Sequence, residues 1–181
     1  MIRRMGGIDG LCLLLACYLA PLAPAFAQPA PSIEVAFSPH RGATDAIVRL
    51  IDGAKSSIRV AAYSFTSRPI AKALVNARDR GVDVRAILDG TNATDRYSSA
   101  TFLANADIPT RVNRRYAVMH DKFMVIDGTD VETGSLNYTR SAEEHNAENV
   151  LILHGHPEIA AKYQARWLEL WDESEPFRPQ S

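Results

Sequence analysis

The residues of this chain best suited to chemistry gather in one stretch, His120-Asp121-Lys122-Phe123-Met124-Val125-Ile126-Asp127, followed by Gly134-Ser135-Leu136-Asn137. On an extended strand, residues two apart share a face, so His120 and Lys122 project together while Phe123 and Val125 face the other way. Ser135 and Asn137, again two apart, follow Gly134 in a turn whose backbone N–H groups can also face an anion. Neutral donors and a cation beside a nucleophilic imidazole make a phosphate site. Each part alone is weak, since a single strand histidine is usually structural and Gly-Ser-x-Asn is by itself only a turn. Their combination at this spacing carries the argument.

The full pattern, His-x-Lys-x4-Asp-x6-Gly-Ser-x-Asn, resembles the HKD signature of the phospholipase D superfamily at every fixed position. The likeness covers the preceding α/β half and runs on to Glu148. The small size and single motif resemble the secreted bacterial endonuclease branch more than the large two-motif lipases. The resemblance implies that His120 attacks phosphorus to form a phosphohistidine, while the histidine of a second motif protonates the leaving oxygen. In-line displacement places attacking and leaving groups on opposite sides of phosphorus, beyond the reach of one imidazole. With one motif per chain, the expectation is a homodimer with a shared active site on its two-fold axis.

The same resemblance implies further roles. Lys122 and Asn137 hold the non-bridging oxygens, and Ser135 donates another hydrogen bond. Glu148 accepts from the histidine Nδ1–H and leaves Nε2 free to attack. No metal and no other cofactor is expected. Asp127 belongs to the motif, but its opposite strand parity gives it a structural role at the turn.

These residues need a scaffold, and the mature chain alternates strand-like and helix-like segments. Ile33 to Phe37 reads as a strand; Thr44 caps a helix carrying Ile47, Leu50, Ile51 and Ala54; Ile58 to Phe65 is the next strand. Pro69 opens a helix that Gly81 ends, and Val82 to Leu88 returns as a strand, giving two right-handed β-α-β crossovers. A short helix over Ser98 to Ala106 and strands over Ile108 to Val112 and Ala117 to Ile126 follow. Asp127-Gly128 turns the chain into a strand near Val131. Glu148 to Leu153 is a further strand. Pro157 to Trp171 is a closing helix with Ile159, Tyr163, Trp167, Leu168 and Trp171 near one face. The expected class is α/β: one domain, a mixed sheet flanked by helices on both faces.

The 181 residues are 46% hydrophobic and 23% charged, with 20 basic against 21 acidic side chains, so a polyanion must be gripped locally rather than by net charge. Arg111, Arg114 and Arg115 before the catalytic strand, and Arg140 after Asn137, are the candidates, with Tyr97, Tyr116 and Tyr138 as bases' stacking partners. His40, His145, His154 and His156 read as surface residues. Arg3 and Arg4, the apolar run Leu11 to Leu22 and Ala25-Phe26-Ala27 read as a signal peptide over residues 1–27, leaving the domain at 28–181. The run is too short to span a bilayer, so no stable membrane anchor is expected. Both cysteines, Cys12 and Cys17, would leave with the leader, which excludes disulfides and thiolate chemistry from the mature protein. The expectation is an exported protein, periplasmic or secreted: a metal-independent phosphodiesterase, foremost a sequence-nonspecific endonuclease on DNA or RNA. The alternatives are a phospholipase D cleaving phospholipid head groups, and a catalytically silent nucleic-acid-binding module.

Overall fold

The computed structural model describes residues 30–91 and 98–179. The leader over residues 1–27, with Cys12 and Cys17, and the candidate base-stacking Tyr97 lie outside the described residues. In chain order the elements are β1 (Ser32–Ser38), α1 (Ala43–Gly53), β2 (Ser57–Ala62), α2 (Arg68–Asp79), β3 (Asp83–Asp89), α3 (Ser99–Asn105), β4 (Thr110–Asn113), β5 (Lys122–Ile126), β6 (Asp130–Gly134), α4 (Arg140–His145), β7 (Glu148–His154), α5 (Pro157–Asp172) and β8 (Glu175–Pro176). Among the described residues no helix is long and apolar enough to cross a membrane.

The period-two alternation of the strands sorts the core into two layers, one on each side of a single sheet ordered β1-β7-β6-β5-β2-β3-β4-β8. Ile58, Val60 and Ala62 of β2, with Val84, Ala86 and Leu88 of β3, pack against α1, α2, α3 and α4. Ala61, Ile87, Phe123 and Val125 point the other way and pack with Ala160, Trp167 and Leu170 of α5. The result is the mixed α/β sandwich with helices on both faces. Alanines at 71, 73 and 77 keep α2 thin on its buried side, so it lies close over the strands.

β2, β3 and β4 are parallel neighbours joined through α2 and α3. The first crossover spans more of the sheet than the second. β1 leads through α1 to β2, yet three antiparallel-paired strands, β7, β6 and β5, stand between them. Strand periodicity reports which face a residue takes, not which neighbour its strand finds.

Local boundaries also moved. Gly42, in the left-handed region at φ 81, precedes α1, and Thr44 instead donates its hydroxyl to Glu143 at 2.7 Å. β2 stops at Ala62 and β5 begins only at Lys122 because these two residues are the last pair of their ladder. Upstream, the Met119 N–H leaves the ladder for the Asp89 carboxylate at 2.7 Å. Leu168 of α5 is 48% exposed, off the packed face.

Trp167 bolts α5 to the sheet. Its indole N–H donates to the Val60 carbonyl at 2.9 Å while its ring stacks on Trp171 at 4.8 Å. Trp167→Ala is expected to cost about 3 to 5 kcal/mol of unfolding free energy through the cavity it leaves, and Trp167→Phe less; urea titration measures both.

Candidate active site

Chain direction brings the chemical residues together. β5 runs antiparallel to β2, so Lys122 at its start is paired with Ala62 at the end of β2. β6 ends at Gly134 beside the start of β7, and Glu148 opens β7 opposite Ser38, the last residue of β1. His120, Lys122, Ser135 and Glu148 therefore lie along one sheet edge, at the carboxyl ends of the parallel strands, where ligands bind in open α/β sheets.

His120 is exposed and stands just outside the β5 ladder, whereas Lys122 is buried. The Lys122 ammonium lies 2.8 Å from Nδ1 and 2.9 Å from Nε2 of His120, and donates to the His120 carbonyl at 2.9 Å. A neutral imidazole has one nitrogen lone pair, so the ammonium can donate to only one ring nitrogen at a time. Burial lowers the pKa of Lys122, against the opposing pull of Glu148 and Asp121. Tyr63, one residue past β2, tilts its ring against His120 at a centroid distance of 4.6 Å and receives Lys122 Nζ at 5.3 Å. Histidine and lysine thus share one face, as the spacing predicts.

Glu148 departs from expectation. Its Oε2 accepts from the Ser135 hydroxyl at 2.5 Å and its Oε1 from Asn146 Nδ2 at 3.0 Å; no hydrogen bond joins it to His120. The register of β6 on β7 explains this, since Ser135 sits directly across from Asn149, exchanging main-chain and side-chain bonds with it, and so reaches Glu148 first. A Cβ on Gly134 would meet the Asn149 carbonyl oxygen at 2.2 Å, so only glycine permits that approach. Asn137 is half-buried, and its Oδ1 is buried with no hydrogen-bond partner among the described residues. The unpaired atom is an acceptor, so any bond from Asn137 to an anion must come from its Nδ2.

A pocket of about 580 Å³ opens here, lined by His120, Lys122, Gly134 and Ser135 and, from α5, by Lys162, Tyr163 and Arg166. Arg166 reaches Asp121 at 3.4 Å and the Tyr116 hydroxyl at 3.4 Å. Tyr63 and the α5 residues are functional candidates that the sequence reading missed. The one available signal was the helical i, i+4 spacing of Lys162 and Arg166, which says nothing about the partner across the fold.

The arginines behave differently from one another. Arg111 donates to the Trp171 carbonyl at 2.7 Å and stacks over its ring at 4.4 Å, a packing role. Arg114 is exposed and donates to the Gly90 carbonyl at 3.0 Å; Arg115 is exposed. Arg140 is paired with Glu144 at 2.7 Å. Tyr138 is buried and unavailable to a base. Asp127 accepts from the backbone N–H groups of Lys55, Ser56 and Ser57 at 2.7 to 2.9 Å. Burial alone would raise its pKa, but those bonds hold it below the ordinary value. It clamps a turn at the far end of β5, as its parity suggests.

Residues 47–171 match the family model described as cardiolipin synthase, PLD-like domain. The chain belongs to the phospholipase D superfamily. It is 38% identical over 136 residues to a phospholipase D of Rickettsia conorii, covering 75% of this chain and 68% of that one. It is 36% identical over 148 residues to a mitochondrial cardiolipin hydrolase of Xenopus laevis, covering 82% and 67%. The crystal structure of Nuc, a phospholipase D family member from Salmonella typhimurium, matches with a TM-score of 0.80 at 39% identity, over 83% of this chain and all of that one. NucT from Helicobacter pylori, at 24% identity and a TM-score of 0.75, shares the fold. The fold is that of the superfamily's phosphodiesterases.

In this superfamily member the loop between β6 and α4 is closed by a buried pair: the Tyr138 hydroxyl donates to Glu132 Oε2 at 2.5 Å. Burial pushes the Glu132 carboxyl up to about 8, against the lowering effect of that hydrogen bond. Between the ordinary glutamate value of 4.5 and about 8, the folded protein keeps a proton that the unfolded chain has released. Stability contributed below that window is therefore lost as pH rises through it. Thermal midpoints measured across the window should fall more steeply for the wild type than for Glu132→Gln, which is neutral throughout; equal slopes would assign the pH dependence elsewhere.

Proposed function

We propose that this protein is an exported, metal-independent phosphodiesterase, acting as a homodimer and most suited to sequence-nonspecific endonuclease cleavage of DNA or RNA. The observation that carries the reading is an exposed imidazole with a buried ammonium on its ring nitrogens, inside a pocket whose far wall adds Lys162 and Arg166. That arrangement offers an imidazole nucleophile, freed when the Lys122 ammonium turns from its ring nitrogen to the non-bridging oxygens. It also offers a further cation, Lys162, for a neighbouring phosphate, Arg166 being ion-paired with Asp121 and Glu169.

In the proposed reaction a His120 ring nitrogen attacks phosphorus as the P–O bond to the leaving group breaks. The leaving oxygen takes a proton from His120 of a second copy, which supplies the imidazole that one chain lacks. Water then attacks the phosphohistidine, losing a proton to that second imidazole and freeing His120. Lys122 steadies the charge that builds on the non-bridging oxygens, and the Asn137 Nδ2 amide is the neutral donor beside it, while the Ser135 hydroxyl proton is held by Glu148. Glu148 acts through Ser135 and Asn146 rather than through the His120 ring. A phospholipase D reading is favoured by the likeness to the Rickettsia phospholipase D and the Xenopus mitochondrial cardiolipin hydrolase.

Five measurements test the proposal. His120→Ala should abolish turnover on plasmid DNA, and acid-labile phosphate should be trapped on His120 of the wild type; phosphate on Ser135 would overturn the assignment. Activity should survive EDTA, and sedimentation should show two chains per particle. Plasmid DNA, RNA and phosphatidylcholine vesicles assayed side by side separate the nuclease from the lipase, since head-group release with nucleic acid untouched would transfer the assignment.

A further inference from the structure

On the opposite side of the sheet from the catalytic pocket, at the same edge, lies a larger groove of about 1010 Å³. Its walls are the first turn of α2 with Ser67, Arg68 and Lys72, the start of α3 with Ser98 and Phe102, and α4. The groove is joined to the catalytic site by short, fixed pieces of chain. Tyr63 lies against His120, and Thr66, three residues on, already lines the groove. The N–H groups of Thr66 and Ser67 donate at 2.9 and 2.8 Å to the carbonyl of Tyr138, the neighbour of Asn137.

The charges lining this groove do not cancel. Arg68, Lys72 and Arg140 stand against Glu143 and Glu144, leaving the lining one charge positive. The Glu143 carboxylate accepts from the N–H and hydroxyl of Thr44 at 2.9 and 2.7 Å and keeps its charge, while Glu144 is paired by Arg140. Arg68 and Lys72, one helical turn apart on α2, have no hydrogen-bond or ion-pair partner among the described residues. Unpaired cations at the start of a helix add to the positive end of its peptide dipole. Beside them Phe102, 51% exposed, offers an aromatic face to solvent. Cations alternating with an open aromatic surface are what a flexible phosphodiester chain requires, charge for its phosphates and a flat apolar face for its bases.

We propose that this groove is a second subsite for a single-stranded polynucleotide, in which Arg68 and Lys72 hold a phosphate beyond the scissile one and Phe102 stacks a base. The inference deepens the nuclease reading and rests on it. It replaces Arg140, which Glu144 neutralises, with two residues that composition alone did not distinguish. The strand crosses the sheet edge, passing from the catalytic pocket over the Asn137 turn into the groove.

The test uses the full chain and two substrates. Arg68→Glu/Lys72→Glu should raise KM for a single-stranded oligonucleotide about tenfold or more at moderate salt and flatten the salt dependence of that KM. It should leave kcat/KM for bis(p-nitrophenyl) phosphate, which fills the catalytic pocket alone, within about twofold. Phe102→Ala should raise the oligonucleotide KM less, without changing its salt dependence. Unchanged oligonucleotide KM, or equal losses on both substrates, would overturn the subsite. Binding keeps the inference separate from catalysis. In a His120→Ala background, fluorescence anisotropy should show the charge reversal weakening binding of a labelled oligonucleotide. Undiminished affinity there overturns the groove, as does weakened binding to phosphatidylglycerol vesicles with oligonucleotide binding intact. A wild type that cleaves no nucleic acid defeats the nuclease reading, whatever the binding arm shows.

Discussion

Both cavities at the catalytic edge depend on how Tyr138 is held. Its hydroxyl is committed to buried Glu132, its ring meets Phe65 edge-on at 5.7 Å, and its carbonyl takes two N–H groups from the segment entering α2. Three kinds of contact on one residue pin the Gly134-to-Asn137 turn to the segment that follows β2 and includes Tyr63. Removing the hydroxyl leaves an acid buried with nothing to bond, a large penalty in a medium of low dielectric. The turn cannot drift without exposing that defect.

The motif aspartate is explained by the same economy of placement. Asp127 lies at the opposite end of β5 from His120, so it reports the length of a strand rather than taking part in chemistry. By gathering the backbone N–H groups of Lys55, Ser56 and Ser57 where β2 starts, it fixes where that strand begins and therefore where Ala62 meets Lys122. An acid spaced five residues beyond the lysine is a ruler for the sheet.

Much of this was legible in the residues themselves. Period-two alternation placed His120 and Lys122 on one face and Phe123 with Val125 on the other; helical spacing placed Ile47, Leu50 and Ile51 in the core. What escaped depends on register and long-range placement. Glu148 meets Ser135 instead of His120 because of how β7 slides on β6. Tyr63 and Lys162 join the site from segments far away in sequence, and no local pattern encodes that meeting. The position of β1 at the outer edge of the sheet is likewise a property of assembly order, not of its own seven residues.

His120 stands outside the ladder and Lys122 within it, two residues apart. Phe123 to Ile126 lie between β2 and β6, and Lys122 is paired with β2, so amides in this ladder exchange with solvent only when the sheet opens. Around His120 the main chain has no such neighbours, and its amide belongs to a less protected unit. The imidazole can therefore shift without disturbing the sheet, while the ammonium two residues on is carried by the slowest-moving part of the protein.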